Sequence, residues 1–174
     1  MTLVLALLIG TPLLFALLHE GFPAAEIELE SSDVWVSNSQ DLRAGRLNAQ
    51  IQELDASVSL VTADVGILQD GDTVFLHDQT SGSLGRVDPA MTDLRESILT
   101  PAGSRSAYGA GVIALLDPAT GRLWLIDATQ PLAFDAATAE PVAELGADAQ
   151  VVVTSLGTVL AVSPEKQQIL RIEG

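Results

Sequence analysis

Two segments of this sequence repeat each other, and this repeat constrains the fold more than any other feature. FLHDQTSGSLGRVDPA occupies positions 75–90, and ALLDPATGRLWLIDAT occupies positions 114–129. A repeat spacing of roughly 40 residues indicates a supersecondary unit that stacks on copies of itself, and it outweighs any local pattern. The aligned positions include Asp78 with Asp117, Gly82 with Gly121, Leu84 with Leu123, Val87 with Ile126, and Asp88 with Asp127.

Two further copies flank this pair at similar spacings. WVSNSQDLRAGRLN precedes the first segment, so that Val34-Trp35-Val36 aligns with Val74-Phe75-Leu76. LAVSPEKQQILRIE follows the second segment, and its Ile172-Glu173 aligns with Ile126-Asp127. The chain therefore contains four copies of one repeated unit.

Each copy predicts a β-hairpin. A short run rich in Val, Ile and Leu leads into a turn such as DQTSG or DPATG, and a second short apolar run follows. Asp bonds to the backbone of such turns, and Gly82 and Gly121 tolerate a positive φ. ASVSLVT, VGILQ, AQVVVTS and GTVLAVS add further strands. AQIQELDAS and DPAMTDLRES are the nearest approach to helices, and we interpret both as loops or outer strands.

Four strands in a period of about 40 residues are typical of a β-propeller blade. We therefore predict an all-β fold in which residues 33–174 form about three to four four-stranded blades of a partial, truncated propeller. Blades bury their faces against neighbours, so an open row would expose apolar side chains at its ends.

The stretch from residue 2 to residue 18 carries no charge. As a helix it would span about 25 Å, the short end of the range for a bilayer. We favour a transmembrane signal-anchor at residues 1–19, followed by a linker at 20–32. A cleaved signal peptide and a buried soluble helix remain alternatives. No basic residue precedes the run, although both a membrane anchor and a signal peptide normally carry one there. Residues from about 20 onward are expected to be extracellular, since the first basic residue is Arg43.

Composition excludes several classes of function. The net charge is −15, from 23 acidic and 8 basic residues, so phosphate backbones would repel the chain and nucleic acid is not expected as a partner. The sequence contains no Cys, which excludes disulfides and thiolate metal sites.

One longer stretch resembles a known type of protein. HEGFPAAEIELESSDVWVSNSQDLRAGRLNAQIQELDASV follows directly on the apolar run. It is similar to the amino-terminal region of large exported actinobacterial proteins, in which a membrane anchor and a β-propeller-like region precede tandem fibronectin type III or immunoglobulin-like domains. The matching features are Gly21-Phe22-Pro23, Val34-Trp35-Val36 and Gly45-Arg46-Leu47-Asn48. The resemblance implies a fragment of a larger cell-surface protein and supplies no catalytic residue.

Two groups of residues invite a chemical interpretation. His77 lies beside Asp78, but neighbours in a strand point to opposite faces, and no Gly-x-Ser-x-Gly motif supplies a nucleophile. Asp70 and Asp72 flank Gly71 and are followed directly by a strand, which favours a tight turn over a calcium loop. We therefore predict no catalytic, cofactor-binding or metal-binding residue, and no cofactor.

Other recurrent residues favour structural roles. Arg46 and Arg86 share one slot of the repeat, where pairing with a hairpin Asp or Asn is expected, and Leu125 breaks any ring of arginines. The acids that end each unit are expected to cap turns, and His19 to lie at the membrane edge. The strand tryptophans are expected to pack between blades, whereas GSRSAYGAG, residues 103–111, is expected to be a flexible contact loop. The recurrent acids and the tryptophans are Asp88, Asp127, Glu173, Trp35 and Trp124.

The predicted function is a non-catalytic extracellular scaffold or binding module. It would be anchored through residues 2–18 and would contact protein or glycan at the propeller loops. One alternative is a sensor ectodomain that signals through the transmembrane helix, and a weaker one is a metal-dependent hydrolase of the propeller type.

Overall fold

The computed structural model of the chain describes residues 34–48, 51, 53–88 and 91–173. The predicted anchor at residues 1–19 with His19, and the predicted linker at 20–32, lie outside the described residues. Within those described ranges, no helix has the length and apolar content that a membrane span requires.

Strands account for the regular structure of the described chain, and they form four antiparallel sheets in sequence order. The first sheet contains β1 (Val34–Asn38), β2 (Arg43–Asn48) and β3 (Glu53–Ser59). The second sheet contains β4 (Val65–Asp70), β5 (Thr73–Asp78), β6 (Ser83–Asp88) and β7 (Asp93–Leu99).

The other two sheets follow the same plan. The third sheet contains β8 (Arg105–Gly109), β9 (Val112–Asp117), β10 (Arg122–Asp127) and β11 (Ala143–Glu144). The fourth sheet contains β12 (Gln150–Val153), β13 (Thr158–Ser163) and β14 (Gln168–Glu173). Within each sheet, every strand pairs with the next one along the chain, so every sheet is a meander of hairpins. The prediction of an all-β fold with four-stranded antiparallel units is therefore confirmed for the second and third sheets, while the first and fourth sheets have three described strands each.

One capping position shapes the central turn of every sheet. Asp78 Oδ1 accepts hydrogen bonds from the backbone N–H groups of Thr80 at 3.0 Å and Ser81 at 2.9 Å. Asp117 Oδ1 accepts one from Ala119 at 2.9 Å. The side chain thereby replaces a backbone acceptor and holds the tight turn that follows the strand. The equivalent capping residues of the four sheets are Asn38, Asp78, Asp117 and Ser163.

The same turns end in a residue with positive φ. A Cβ atom on Gly82 would lie 2.3 Å from the carbonyl oxygen of Thr100, and one on Gly121 would lie 2.2 Å from the nitrogen of Gly146. Glycine is required in these two turns for two reasons. The chain that follows the sheet approaches too closely to leave space for a Cβ atom, and φ is positive. The four φ values are 49° at Leu42, 65° at Gly82, 70° at Gly121 and 52° at Gln167.

The sheets pack face to face in a row, first to second, second to third and third to fourth, with an apolar core between each pair of neighbours. Each fully buried aliphatic or aromatic side chain contributes about 1.5–3 kcal/mol. The row is not closed into a ring among the described residues. Members of the three cores, in order, are Trp35 with Val74, Leu84 with Trp124, and Leu116 with Val159.

The two segments with weak helical character are strands. β3 covers most of AQIQELDAS, and β7 covers the end of DPAMTDLRES, so their interpretation as outer strands is confirmed. The expectation of a flexible loop at residues 103–111 is wrong. Residues 105–109 of this segment form β8, the first strand of the third sheet, and Tyr108 packs edge-on against Phe75 with ring centroids 5.0 Å apart.

Candidate functional site

The largest polar cluster in the described interior surrounds His77, at the interface between the second and third sheets. The side chain is fully buried. Its Nδ1 lies 2.7 Å from Ser106 Oγ, and its Nε2 lies 3.1 Å from Thr100 Oγ1 and 3.3 Å from Ser104 Oγ. Ser104 Oγ also donates to Thr100 Oγ1 at 3.2 Å. The imidazole therefore joins β5 to the linker after β7 and to the first strand of the third sheet.

Burial determines the charge state of this histidine. Desolvation lowers the pKa of His77 from its ordinary value of 6.5, and the carboxylates of Asp78 and Asp64 oppose that change only in part. A neutral imidazole has one donor and one acceptor nitrogen, and the three neighbouring hydroxyls rotate to match them. When the ring is neutral, both nitrogens of His77 therefore have hydroxyl partners in this interface.

His77 and Asp78 do not act as a pair. Asp78 directs its carboxylate to its own turn, where Thr62 Oγ1 donates to Oδ1 at 2.8 Å in addition to the two backbone donors. Burial raises the pKa of Asp78, but the hydrogen bonds from Ser81, Thr62 and Thr80 outweigh it and leave the pKa lowered. The expectation that these neighbours face different surroundings is confirmed. The geometry supports a structural role for each.

The arginine slot holds two different contacts. Arg46 forms a bidentate pair with Asp55, at 2.8 and 2.9 Å, and this contact lowers the pKa of Asp55 below its ordinary value of 3.8. Arg86 instead crosses to the third sheet. Its Nη2 donates to the carbonyl oxygens of Ala128 and of Gln130, the latter at 3.2 Å, and its guanidinium lies 5.2 Å from the centroid of the Phe75 ring.

The remaining acids singled out in the sequence fall in turns. Asp70 and Asp72 flank a tight turn in which Gly71 has a φ of 55°, as predicted. Asp70 also reaches the third sheet, because its Oδ2 accepts a hydrogen bond from Ala110 N at 2.7 Å. Asp127 Oδ1 accepts the N–H of Thr129 at 2.9 Å, as a capping residue should.

The acids at the ends of the other units behave differently from each other. Asp88 Oδ1 accepts the N–H of Met91 at 3.3 Å, and its Oδ2 pairs with Arg95 at 2.6 Å. Glu173 instead pairs with Arg171 at 3.4 Å on the surface. Turn capping is therefore confirmed at Asp88.

No group of three or more His, Asp or Glu side chains in the described part of the chain is arranged to hold a metal ion.

The tryptophans lie where the repeat predicts, between sheets. Trp35 is 6% exposed and packs in the core between the first and second sheets, and its backbone N–H donates to Gln69 Oε1 at 3.0 Å. Trp124 is 3% exposed, lies in the next core, and donates its indole N–H to the carbonyl of Ala139 at 3.1 Å. Both expectations are confirmed.

The accessible features of the row include its turns and a groove on the first sheet. The name turn rim is used here for the four turns at residues 39–42, 79–82, 118–121 and 164–167. The first three of these turns are hydrogen-bonded to the linker that leads to the next sheet. Their exposed side chains are mainly Ser, Thr, Gln and Asp. The groove, of about 370 Å³, lies on the first sheet. Residues that line it include Val36, Gly45, Leu54 and Asp55.

No protein-family model matches this chain, and no curated protein matches it by sequence. Solved structures do resemble it. NirN, a dihydro-haem d1 dehydrogenase, superimposes with a TM-score of 0.61 at 15% identity, over 83% of this chain and 33% of that chain.

Two others resemble it at a TM-score of 0.52. The β-propeller domain of Swd1 from Myceliophteria thermophila is 12% identical over 80% of this chain and 49% of its own. PorZ of Porphyromonas gingivalis, a bacterial surface component of the type-IX secretion system, is 13% identical over 82% of this chain and 21% of its own. This chain thus spans less than half the length of each. At these identities the likeness shows the fold alone, and the four sheets form an open row of β-propeller blades.

Proposed function

We propose that this chain is a membrane-anchored, extracellular β-propeller scaffold or binding module without catalytic activity, and that it forms part of a larger cell-surface protein. The observation that carries the proposal is the uncharged stretch at residues 2–18, directly ahead of a row of blades with a strong excess of acidic groups. An apolar run of this length partitions into a bilayer, whereas the acidic blades stay in water.

The geometry of the blades supports a contact surface. Asx-type caps fix the turns of the rim, so these turns present polar side chains on a rigid support and a partner need not order them on binding. Side chains such as Thr80 and Gln40 offer hydroxyl and amide groups that suit protein or glycan. The fold itself does not select among functions, because the similar solved structures have different roles.

The interior supports the same assignment. His77, the one described histidine, is fully buried and bonded on both ring nitrogens to hydroxyl groups that belong to the sheet interface. A general base must lie within hydrogen-bond reach of the proton that it abstracts. The buried imidazole of His77 instead bonds to hydroxyl groups that connect two blades, which favours a structural role.

The anchor and its orientation are tested with a single engineered thiol. Because the chain has no Cys, Thr80→Cys on the exposed turn rim gives one reporter. We expect a membrane-impermeant maleimide to label it in intact cells, and we expect deletion of residues 1–19 to move the protein out of the membrane fraction. Labelling only after permeabilisation, or retention in the membrane fraction without residues 1–19, would contradict the proposal.

A further inference from the structure

The outer edge of the third sheet is only partly paired, although it lies in the middle of the described chain. β11 contains two residues, and it pairs with β10 at Arg122 and Leu123 alone. In the second sheet the equivalent outer strand, β7, pairs with β6 as far as Asp88. The repeat aligns Asp127 with Asp88. Within the described residues, the half of β10 from Trp124 to Asp127 therefore has no outer strand.

This half of β10 directs backbone hydrogen-bonding groups to the open edge. The carbonyl oxygen of Leu123 accepts the N–H of Val142 at 2.8 Å, so the backbone groups of Leu123 point outward. Successive residues of a strand alternate between its two edges, and Leu125 and Asp127 therefore point theirs outward as well. The described residues form no backbone hydrogen bond to these groups from the outer side. Such an edge accepts an added strand.

A groove of about 560 Å³ runs along the open edge. Residues 128–142, which connect β10 to β11, supply its opposite wall. Phe134 in this connection packs edge-on against Trp124, with ring centroids 5.6 Å apart, and Trp124 Nε1 donates to the carbonyl of Ala139 at 3.1 Å. The wall is thereby held in place before a partner binds. We call this surface the outer groove. Its lining includes Leu125, Ile126, Asp127, Gln130, Phe134 and Ala139.

The outer groove carries negative charge. Asp127 and Asp135 both line it, and neither forms an ion pair with a Lys or Arg of the described chain. Arg86 reaches the carbonyl of Gln130, but Glu96 lies 3.7 Å from the Arg86 Nε atom and opposes its charge. Charge complementarity therefore favours a partner that brings Lys or Arg.

The two faces of β10 define where such a partner is apolar and where it is basic. Ile126 faces the core that also contacts Phe134, whereas Leu125 packs on the opposite side, towards the fourth sheet. Asp127 shares the side of Leu125, because side chains of a strand alternate. An added strand follows the same alternation. Its apolar side chains suit the Phe134 side, and its Lys or Arg side chains reach Asp127 while their stems cover Leu125.

We propose that the outer groove binds an extended segment of another polypeptide, with alternating apolar and basic residues, as an added strand beside β10. The rest of this sequence does not supply such a segment, because all eight of its Lys and Arg residues lie in the described ranges. The outer groove lies at the end of β10 opposite to the turn rim. The inference therefore goes beyond the proposed function and does not depend on it.

Peptide binding to the full chain in a zwitterionic detergent tests this proposal. The probe is a fluorescein-labelled octapeptide in which Val and Lys alternate, and we expect its anisotropy to rise as protein is added. A peptide of the same composition, with all Val before all Lys, should bind about tenfold more weakly because it cannot match both faces. A peptide with Glu in place of Lys should not bind.

Two charge variants and two dye positions locate the site. Asp127→Asn should weaken binding of the probe by about fivefold at low ionic strength. Asp72→Asn makes the same charge change at the exposed turn after β4 and should leave binding unchanged. The chain has no Cys, so an environment-sensitive dye on Gln130→Cys should report the peptide, and the same dye on Thr80→Cys in the turn rim should not.

Backbone methylation separates an added strand from charge attraction alone. The N–H groups of alternate residues point to opposite edges of a strand, so methylation of every Val nitrogen or of every Lys nitrogen blocks one edge only. We expect one methylated peptide to lose binding and the other to keep it. Equal behaviour of the two peptides, a response of the dye at Thr80→Cys alone, or no binding of the probe would overturn the proposal. None of these results alters the labelling and fractionation tests of the proposed function.

Discussion

The interface between the second and third sheets differs chemically from the one between the third and fourth, although the same backbone builds both. The second sheet presents His77 and Arg86 to its neighbour. At the equivalent slots of the repeat, the third sheet presents Leu116 and Leu125, and the core there is apolar. The comparison teaches that the repeat preserves strands and turns, whereas each interface has its own side-chain chemistry.

What the two interfaces share is the turn that precedes them. Asp78 and Asp117 cap equivalent turns, and a glycine with positive φ ends each one. At both places a backbone N–H just after the last strand of the sheet bonds to the carbonyl of that glycine, from Thr100 at 2.8 Å and from Leu145 at 2.7 Å. The constant part of the repeat is therefore the capped turn and its backbone hydrogen bond to the linker. Disrupting this turn should lower the free energy of unfolding more than replacing a polar side chain of the interface.

The largest effect is expected for Gly121→Ala. The new Cβ would lie 2.2 Å from the nitrogen of Gly146, and φ is 70°. Backbone strain of about 1–2 kcal/mol adds to displacement of the linker, so we expect a loss of more than about 3 kcal/mol in the free energy of unfolding. Urea unfolding monitored by circular dichroism measures it.

The fourth sheet offers a matched control for this prediction. Gln167 has the equivalent turn position, with a φ of 52°, and already carries a side chain. Gln167→Ala should change the unfolding free energy by less than about 0.5 kcal/mol. If the two variants lost equal stability, the close approach of the linker at Gly121 would not be the cause.

The contrast between constant turns and variable interface side chains explains how much of the fold the sequence predicts. Asp78, Gly82 and their counterparts recur at a fixed period because a turn is a local structure, and the strands and the four units followed from them. The strand at Tyr108 is not predicted because its segment is short and rich in glycine and serine. Its pairing partner β9 follows directly, but the ring contact with Phe75 that buries Tyr108 is distant in sequence. The cluster around His77 was also missed, since three hydroxyls at 23 to 29 residues from the histidine carry no local pattern.

A smaller loss is expected when the second sheet receives the residue that the third sheet carries. His77→Leu keeps the volume similar but leaves Thr100, Ser104 and Ser106 without the imidazole. An unpaired buried hydroxyl costs about 1–3 kcal/mol, and the hydroxyls can partly satisfy one another, so we expect a loss of about 2 kcal/mol. Thermal and urea unfolding give the value.

The control for His77→Leu is a substitution at Leu116, the equivalent position of the third sheet. Leu116→Met preserves volume where no polar partner exists, and it should cost less than about 1.5 kcal/mol. If His77→Leu were as stable as the unmodified chain, the hydrogen bonds of His77 would not contribute to the free energy of unfolding. The chemical difference between the two interfaces would then have no effect on stability.

Arg86→Leu should have a smaller effect of about 1 kcal/mol. The substitution removes hydrogen bonds to two carbonyl groups of the third sheet, but the side chain is partly exposed and water replaces some of the contact. Arg46→Leu removes the ion pair with Asp55, which lies within the first sheet and is as accessible to water as Arg86, so it should cost less still. If Arg46→Leu proved more damaging in the same unfolding assay, the crossing contact of Arg86 would not stabilise the interface.

The smallest effect is a dependence of stability on pH that only one interface confers. Burial lowers the folded-state pKa of His77, while the unfolded chain keeps a value near 6.5. Between these values the unfolded state binds more protons, so the free energy of unfolding must fall as the pH is lowered through about 6.5. We expect urea midpoints to decrease between about pH 7.5 and pH 5.5. His77→Leu should flatten this decrease, because the slot then matches the apolar slot of the third sheet. His19→Gln should preserve it, and a decrease that survives in His77→Leu would assign the proton to a different group.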